Sequence, residues 1–476
     1  MHNNLRFKKS FLIIYILLNF IVITLIVIEQ CDWLYAILLM TWINMMFYSL
    51  KKVTRRAVLL CFGIAFFTFL LGRDGMEYLL GHESDSNFTE DVNRHAYLSM
   101  LLSIIGVWLS YSVFQNNHNT KFKLSIKDKK YYHYIRRYSL ICFYTVYPIA
   151  IGVNLAIAYF VIKFGYAAKF TDLRSIVENT PVFYTFSKIE LLLPTAFSIY
   201  MASLPSKDKF LKIVKPYIIY LIITLGTGGR GDFILGILLI GIFVAFMQQL
   251  EPNIVWIHKR KLKYIYILAP LIAIGGTFMN NLRFGESNDQ LSLIDGFSNF
   301  FYDQGVTCNA VKNAYKYESS IPKQKDYYTF EFLHTGILAR ILGNEVYQGN
   351  NIEHATKGGS FTHALGYTIM GNGYLAGRGT GTSYIAELYY DFGYLGVFIG
   401  SCIYGYIFSL INNFKKTGIF ARSIIFIILT KILWAPRGGY SGFLSFIFAP
   451  TTIALLLFVF AAAQISYVAH QKTFHK

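Results

Sequence analysis

Arginines set among glycines are the residues of this chain whose types and spacing best suit chemistry. Arg230 lies in Gly-Thr-Gly-Gly-Arg-Gly-Asp at 226–232, between two apolar runs. Because an arginine near hydrocarbon costs at least about 2.5–3.5 kcal/mol, we expect it to serve a partner or a purpose. Glycines let the backbone approach a ligand closely, and an arginine beside free helix N–H groups suits a phosphate. The alternative is a tight hairpin in which Arg230 pairs with Asp232.

Three further arginines extend this pattern. Arg437 lies in Trp-Ala-Pro-Arg-Gly-Gly at 434–439, after another short apolar run. Interrupted spans with an arginine at the break are typical of binding sites built from broken membrane helices. Arg283 follows an apolar run, and Arg378 stands in Gly-Arg-Gly-Thr-Gly at 377–381. Arginine is preferred for bidentate phosphate recognition, so the four arginines predict a diphosphate site. The alternatives are that Arg437 lies in an ordinary Pro-Gly turn and that Arg283 merely marks the membrane interface.

Two carboxylates follow the last of these glycines. Glu387 and Asp391 are four residues apart and would share one helix face, and Thr382 or Ser383 could cap the helix. An acid in a first turn is stabilised by the helix dipole, which is the structural alternative for Glu387. We expect Asp391 to lie deeper in the span. A carboxylate at the edge of a membrane cavity could act as a general base.

His363 is the third candidate for acid–base chemistry. It precedes the glycine-rich stretch and could take a proton near neutral pH without special tuning, although a structural role is the alternative. No spacing of His, Asp and Glu predicts a metal. The chain has five cysteines, an odd number, and no two of them form a CxxC pair. This pattern argues against a zinc site and a disulfide framework. We expect no cofactor.

Long apolar runs must position these residues. The chain has 476 residues, of which 54% are hydrophobic and 15% charged, against about 25% charged in soluble domains. Runs near the 20 residues that cross a bilayer recur from end to end, so we predict an all-α integral membrane protein with about twelve spans. The first run has no small-residue cleavage site and is interpreted as a helix rather than a signal peptide. The predicted spans are 11–28, 33–50, 57–72, 96–115, 138–162, 188–204, 216–227, 232–250, 264–281, 384–411, 423–435 and 442–462.

The basic residues set the predicted topology. The formal charge is +18, which in a soluble protein would suggest nucleic acid. Here more than half of the 44 Lys and Arg fall at the two termini and in alternate short connections, whereas only Asp128, Asp208 and Glu251 of the 26 acids do. The positive-inside rule then places both termini in the cytoplasm. We therefore expect the bilayer, and no nucleic acid, as a partner.

One connection is much longer than the others. Residues 1–281 hold spans one to nine and 384–476 hold spans ten to twelve, while 282–383 form a large outer loop without a spanning run. Loops of this size are usually functional. Its stretch Tyr328–Leu342 is amphipathic, with apolar residues at helical spacing, so we expect short amphipathic helices in this loop and place this stretch on the membrane surface or on the bundle.

The stretch at 381–397 resembles the signature of the O-antigen polymerase (Wzy) family. It reads Gly-Thr-Ser-Tyr-Ile-Ala-Glu-Leu-Tyr-Tyr-Asp-Phe-Gly-Tyr-Leu-Gly-Val, and the Gly-Gly-Arg-Gly hairpin at 228–231 is similar too. The family is also similar in length, number of spans and its large outer loop. The resemblance implies a membrane glycosyltransferase of the GT-C-like class in the bacterial cytoplasmic membrane.

The resemblance also implies a substrate and a reaction. The family takes repeat units carried on undecaprenyl diphosphate at the outer face of the membrane, and transfers the growing glycan to the non-reducing end of an incoming unit. It implies neither a nucleotide sugar nor a metal. It does imply a chain-length regulator and a flippase as further partners. The family's dependence on arginine carries over to Arg230. Arginines 230, 283, 437 and 378 would hold the leaving diphosphate, and Glu387, His363 or Asp391 would act as base.

Two other functions stay open on the sequence alone. A flippase or secondary transporter of lipid-linked oligosaccharides also has about twelve helices and broken spans. The single large loop and the absence of a visible repeat argue against it. The related O-antigen ligases share the general plan and differ in acceptor.

Overall fold

In a computed structural model, the described part of the chain is built of helices and holds no strand. It comprises residues 2–27, 31–80, 87–115, 126–165, 169, 173, 176, 179–228, 230–256, 293–324, 326–414 and 417–474, and a few side chains in these ranges, including that of Arg230, lie outside the description. The α-helices are α1 His2–Val27, α2 Trp33–Leu50, α3 Val53–Phe66, α4 Gly72–Leu80, α5 Glu90–Phe114, α6 Ile126–Phe164, α7 Pro181–Glu190, α8 Leu192–Ala202, α9 Lys207–Gly226, α10 Arg230–Leu250, α11 Leu293–Gln304, α12 Cys308–Lys316, α13 Gly336–Leu342, α14 Ile352–Lys357, α15 Phe361–Met370, α16 Asn372–Leu375, α17 Tyr384–Asn412, α18 Ile419–Trp434, α19 Gly442–Ile447 and α20 Pro450–Phe474.

Eight helices of the described residues are long and apolar enough to cross a membrane. A π-helical turn, Phe67–Leu71, joins α3 to α4, so that Val53–Tyr78 counts as one span. The shorter apolar stretch Leu12–Thr24 lies within α1. The predicted ninth span, 264–281, lies outside the described residues, and the predicted sixth is interrupted between α7 and α8. The prediction of an all-helical membrane protein is confirmed.

Helix α9 corrects one detail of the sequence interpretation. The span before the first arginine hairpin was expected to be short and to begin at Pro216, but α9 begins at Lys207 and contains that proline. Its first turns bury Phe210, which packs 4.5 Å from the ring of Phe243 on α10. Apolar contacts between neighbouring helices therefore extend α9 through the proline, which transmembrane helices tolerate when their surroundings satisfy the freed backbone groups.

The predicted tenth span is a helical hairpin. Gly393 interrupts α17 with φ 64° and ψ −162°, a conformation that is essentially restricted to glycine. The Tyr384 and Tyr404 rings lie 5.2 Å apart, whereas twenty residues of one helix would separate them by about 30 Å. The hydroxyls of Tyr384 and Ser401 both bond Ser103 on α5. The first arm, 384–392, therefore folds back along the second arm, 394–412, and starts inside the bundle.

The loop region forms short helices that pack on the bundle. Its stretch Tyr328–Leu342 is a 3-10 helix, Tyr328–His334, followed by α13, whose first residue Gly336 has φ 63°. The stretch is therefore helical in two short pieces, which agrees with the expectation of short helices in this loop, and the left-handed glycine divides them. The 3-10 helix contacts both α17 and α19, so this part of the loop does pack on the bundle.

A buried ion pair fixes the loop region to the membrane helices. Lys312 Nζ on α12 lies 2.9 Å from Asp74 Oδ1 on α4, with both side chains almost fully buried. Burial would lower the pKa of the Lys312 ammonium, but the Asp74 carboxylate holds it above its ordinary value. Removing one partner of such a pair leaves an uncompensated buried charge, so the pair holds α12 in one position.

Candidate functional site

The first arm of α17 carries a buried carboxylate. Ser383 caps the arm and accepts a hydrogen bond from the Ile385 N–H at 3.4 Å, as the sequence predicted for this position. One turn later Glu387 is completely buried. Its Oε2 accepts a hydrogen bond from the Tyr440 N–H at 2.7 Å. Its Oε1 has no hydrogen-bond partner among the described residues, and a buried acceptor without a partner is costly enough to need a reason.

A second carboxylate reaches the same place from the loop. A Cβ built on Gly439 would lie 2.9 Å from Glu387 Oε1 and 3.2 Å from Glu331 Oε2. Burial raises the pKa of the Glu331 carboxyl, and a hydrogen bond from Ser360 opposes this. Sequence reasoning missed Glu331; the signal was a single acid within the aromatic stretch Tyr328–His334. Glu387 and Glu331 thus form a carboxylate pair that faces Gly439, and the three residues come from three parts of the chain.

Asp391 occupies a different position from the one expected. Its Oδ2 accepts hydrogen bonds from the Thr329 N–H at 2.7 Å and the Thr329 hydroxyl at 2.5 Å. It lies two residues before the reversal at Gly393 and is half-buried, whereas Glu387 is fully buried. The expectation that Asp391 is the deeper acid was wrong, because the first arm runs outward from the interior. Its contacts indicate that it holds the loop against α17.

The second arginine loop closes the other side of the carboxylate pair. Arg437 precedes Gly439 by two residues, and its Nη1 donates to Gln304 Oε1 at 3.1 Å. Its guanidinium lies 5.5 Å from the ring centroid of Phe69 and 5.7 Å from that of Trp434, within cation–π range. Arg437 and Gly439 thus belong to one loop, in which Gly439 faces the two carboxylates and the Arg437 guanidinium contacts Gln304, Phe69 and Trp434.

Trp434 joins the two arginine segments. Its ring lies directly against the α-carbon of Gly231, at the start of α10, where no side chain would fit. The same ring faces the Arg437 guanidinium. The hairpin at 226–232 and the loop at 434–439 are therefore neighbours. Helix α10 begins at Arg230, whose side chain is not among those that the structure describes.

The remaining arginines are not brought to this site by the described residues. Arg283 lies outside them. The Arg378 side chain is exposed, and its carbonyl accepts a hydrogen bond from Asn350 Nδ2 at 2.8 Å. A part for either arginine in binding diphosphate stays a prediction.

His363 belongs to an aromatic cluster within the loop region. Its ring stacks on that of His354 with centroids 3.6 Å apart. Its Nδ1 lies 2.8 Å from the Tyr374 hydroxyl. These contacts involve loop residues and not the carboxylate pair, so the geometry favours Glu387 over His363 as a base.

A polar cavity opens beneath the first arginine hairpin. It measures about 160 Å³ and is lined by Glu190, Asp232 and Lys431, together with hydroxyl side chains of α8, α9 and α18. Glu190 Oε1 accepts a hydrogen bond from Asn154 Nδ2 at 2.5 Å. Sequence reasoning did not identify Glu190 as part of a polar interior. Ionisable side chains within a helical bundle generally mark a functional interior.

Fold and site together define a polytopic membrane protein with polar sites buried in its helical bundle. The O-antigen polysaccharide polymerase Wzy family matches residues 10–469, nearly the whole chain, and the chain belongs to that family. It is accordingly a polymerase of oligosaccharide repeat units, as the signature at 381–397 predicted, and the assignment favours this function over the flippase and the ligase. No curated protein matches the chain significantly. The same holds for solved structures.

Proposed function

We propose that this polymerase transfers a growing glycan from its undecaprenyl diphosphate to the non-reducing-end sugar of an incoming lipid-linked unit. The bond between the donor's anomeric carbon and the diphosphate breaks, and the acceptor hydroxyl oxygen forms the new bond to that carbon. The acceptor proton passes to Glu387, and undecaprenyl diphosphate leaves. The observation that carries the proposal is that Glu387 and Glu331 both face Gly439 of the Arg437 loop, and that Tyr440 of the same segment bonds Glu387.

Glu387 suits the role of general base better than the other candidates. Tyr440 anchors Oε2, which leaves Oε1 available to accept a proton from a substrate hydroxyl. A positioned base typically contributes about 10²–10⁴-fold to the rate. Glu331 Oε2 faces the same point at Gly439, and we assign Glu331 to orienting the acceptor sugar through the sugar hydroxyls.

The arginines suit the leaving group. Negative charge develops on the diphosphate as it leaves, and fixed cations stabilise it. Arg437 is held by Gln304 and two aromatic rings, two residues before the glycine that faces the carboxylate pair. Arg230 begins α10, one residue before the Gly231 on which the Trp434 ring packs, and helix N–H groups there add to its charge. We propose Arg230 and Arg437, with Arg283 and Arg378 as further candidates, as the diphosphate-binding set.

The wider setting follows from topology. We propose twelve spans in a GT-C-like arrangement, both termini cytoplasmic, the site and the 282–383 loop on the outer side of the bacterial cytoplasmic membrane, and a flippase and a chain-length regulator as partners. The support is the bias of Lys and Arg towards alternate connections and the presence of eight membrane-spanning candidates among the described helices.

Reconstitution tests the proposal directly. The protein in liposomes would be given an undecaprenyl diphosphate-linked repeat unit and no nucleotide sugar, and products would be resolved as a ladder. We expect wild-type protein to elongate the glycan, E387Q to slow elongation by about 10²–10⁴-fold, and R230A and R437A to abolish it. E331Q is the matched control, because it changes the neighbouring carboxyl in the same way, and we expect it to raise KM more than it lowers kcat. Normal ladders from E387Q would remove Glu387 as the base.

A further inference from the structure

A long groove lies between α6, α8 and α9, away from the carboxylate pair. It measures about 860 Å³, within the range of about 300–1,000 Å³ of small-molecule sites. Arg136 donates through Nη2 to the Ser203 carbonyl at 2.8 Å, at the end of α8. Arg422 donates to the adjacent Ala202 carbonyl at 3.2 Å, which ties the groove to the first turn of α18. The Arg437 loop follows the last turn of α18, about 24 Å further along that helix.

The groove changes from charged to apolar along one face of α6. The part of the groove nearest the start of α6 is lined by His133, Arg136 and Arg137, and the same face continues one and two turns later with Leu140, Ile141 and Tyr144. The spacing of three and four residues keeps all six on one side of the helix. Ile141 and Tyr144 are 48% and 51% exposed. The groove thus joins a cationic end to an apolar wall.

The facing helix supplies the same order of side chains. Lys209 and Lys212 line the groove from the first turns of α9, and Ile213 lines it next to them. No carboxylate lies among the described side chains that line it. Arg136 is held by Ser203, whereas Arg137 and Lys212 are exposed and make no hydrogen bond or ion pair within the described residues.

We propose that this groove binds an anionic diacyl phospholipid, with the headgroup phosphate between Arg137 and Lys212 and the acyl chains along Ile141 and Tyr144. Basic clusters between membrane helices recognise anionic headgroups, and the apolar continuation is what distinguishes a lipid from a free phosphate. The bound lipid would hold α6 against the α8–α9 connection at the end of the bundle where α18 begins. This site is independent of the glycan chemistry proposed above.

Lipid retention by the delipidated full-length protein tests the proposal. Phosphatidylglycerol or phosphatidylcholine would be titrated in detergent, and bound lipid would be counted by native mass spectrometry. We expect phosphatidylglycerol to bind wild-type protein and R137Q/K212Q to bind it about 30-fold more weakly, since each cation near an anionic headgroup contributes about fivefold. K51Q/K52Q is the matched control, because it removes two exposed lysines elsewhere, and it should retain wild-type affinity.

Four outcomes would overturn the proposal. They are equal affinity of all three proteins, equally tight binding of phosphatidylcholine, full competition by glycerol phosphate, and displacement by undecaprenyl diphosphate. The third would make the groove a site for phosphate alone, and the fourth would make it a substrate site. Both changed side chains are exposed, and thermal unfolding of R137Q/K212Q at the wild-type temperature would show that the fold is intact.

Discussion

Substituting Gly439 by alanine tests whether the carboxylate pair is positioned for catalysis. The new Cβ would lie 2.9 Å from Glu387 Oε1 and 3.2 Å from both Glu387 Oε2 and Glu331 Oε2. These atoms are the tips of side chains, so the protein can relieve the overlap by moving the carboxylates. Moving Glu387 strains its 2.7 Å hydrogen bond from Tyr440 N–H, and a buried hydrogen bond to a charged group is worth about 1.5–3 kcal/mol.

Stability and activity should therefore respond very differently to this change. We expect G439A to lose at most about 1.5–3 kcal/mol of stability, because the backbone need not move. A displacement of about 1 Å at a catalytic group, by contrast, can cost about 10²-fold in rate. Elongation per folded molecule should fall by about that factor in the liposome assay, while thermal unfolding in detergent shifts by only a few degrees.

Gly442 provides the matched control for this substitution. It lies three residues further along at the start of α19, and a Cβ there would meet nothing within 4 Å. We expect G442A to elongate glycans at the wild-type rate with equal or slightly higher stability, since alanine favours a helix over glycine. If G439A made ladders of wild-type length at the wild-type rate, the carboxylate pair would not be the catalytic centre.

Two further substitutions test the elements that position the site. G393A should destabilise the hairpin by about 1–3 kcal/mol through backbone strain alone, because its Cβ would meet nothing within 4 Å. Its control is G418A, which is equally open but has φ −65° and should unfold at the wild-type temperature. Equal effects of the two substitutions would contradict the argument. K312M should cost about 3–5 kcal/mol by leaving Asp74 buried and unpaired, and D74N in the same chain should restore most of it. K316M, at an exposed lysine of the same helix, is its control, and thermal unfolding in detergent measures each loss.

Hydropathy and capping rules predicted much of the architecture. Apolar runs identified the described helices of the bundle, because a bilayer requires long apolar segments whatever their packing. The cap at Ser383 was also predictable, since its side chain acts locally. The position of α12 was not, because it depends on Lys312 and Asp74, which are far apart in sequence.

The hairpin in α17 left a signal that hydropathy cannot detect. An apolar stretch of 29 residues is equally consistent with one tilted span and with two antiparallel arms. Gly396 and Gly400 lie four residues apart on the second arm, where a Cβ would collide with Phe392 and Leu388 of the first arm. Small residues at this spacing let helices approach closely. Together with Gly393, they could have indicated the reversal and hence that Glu387 lies deeper than Asp391.

The hairpin explains why an acid at position 387 requires a function. The capped first turn of the arm lies inside the bundle, where its N–H groups favour a negative charge. A glutamine at 387 could still accept the hydrogen bond from Tyr440 N–H without carrying a charge. The neighbouring Glu331 opposes the charge that the helix N–H groups favour, because two buried acids side by side repel each other. We propose that the acid is kept for the proton that it accepts from the sugar hydroxyl.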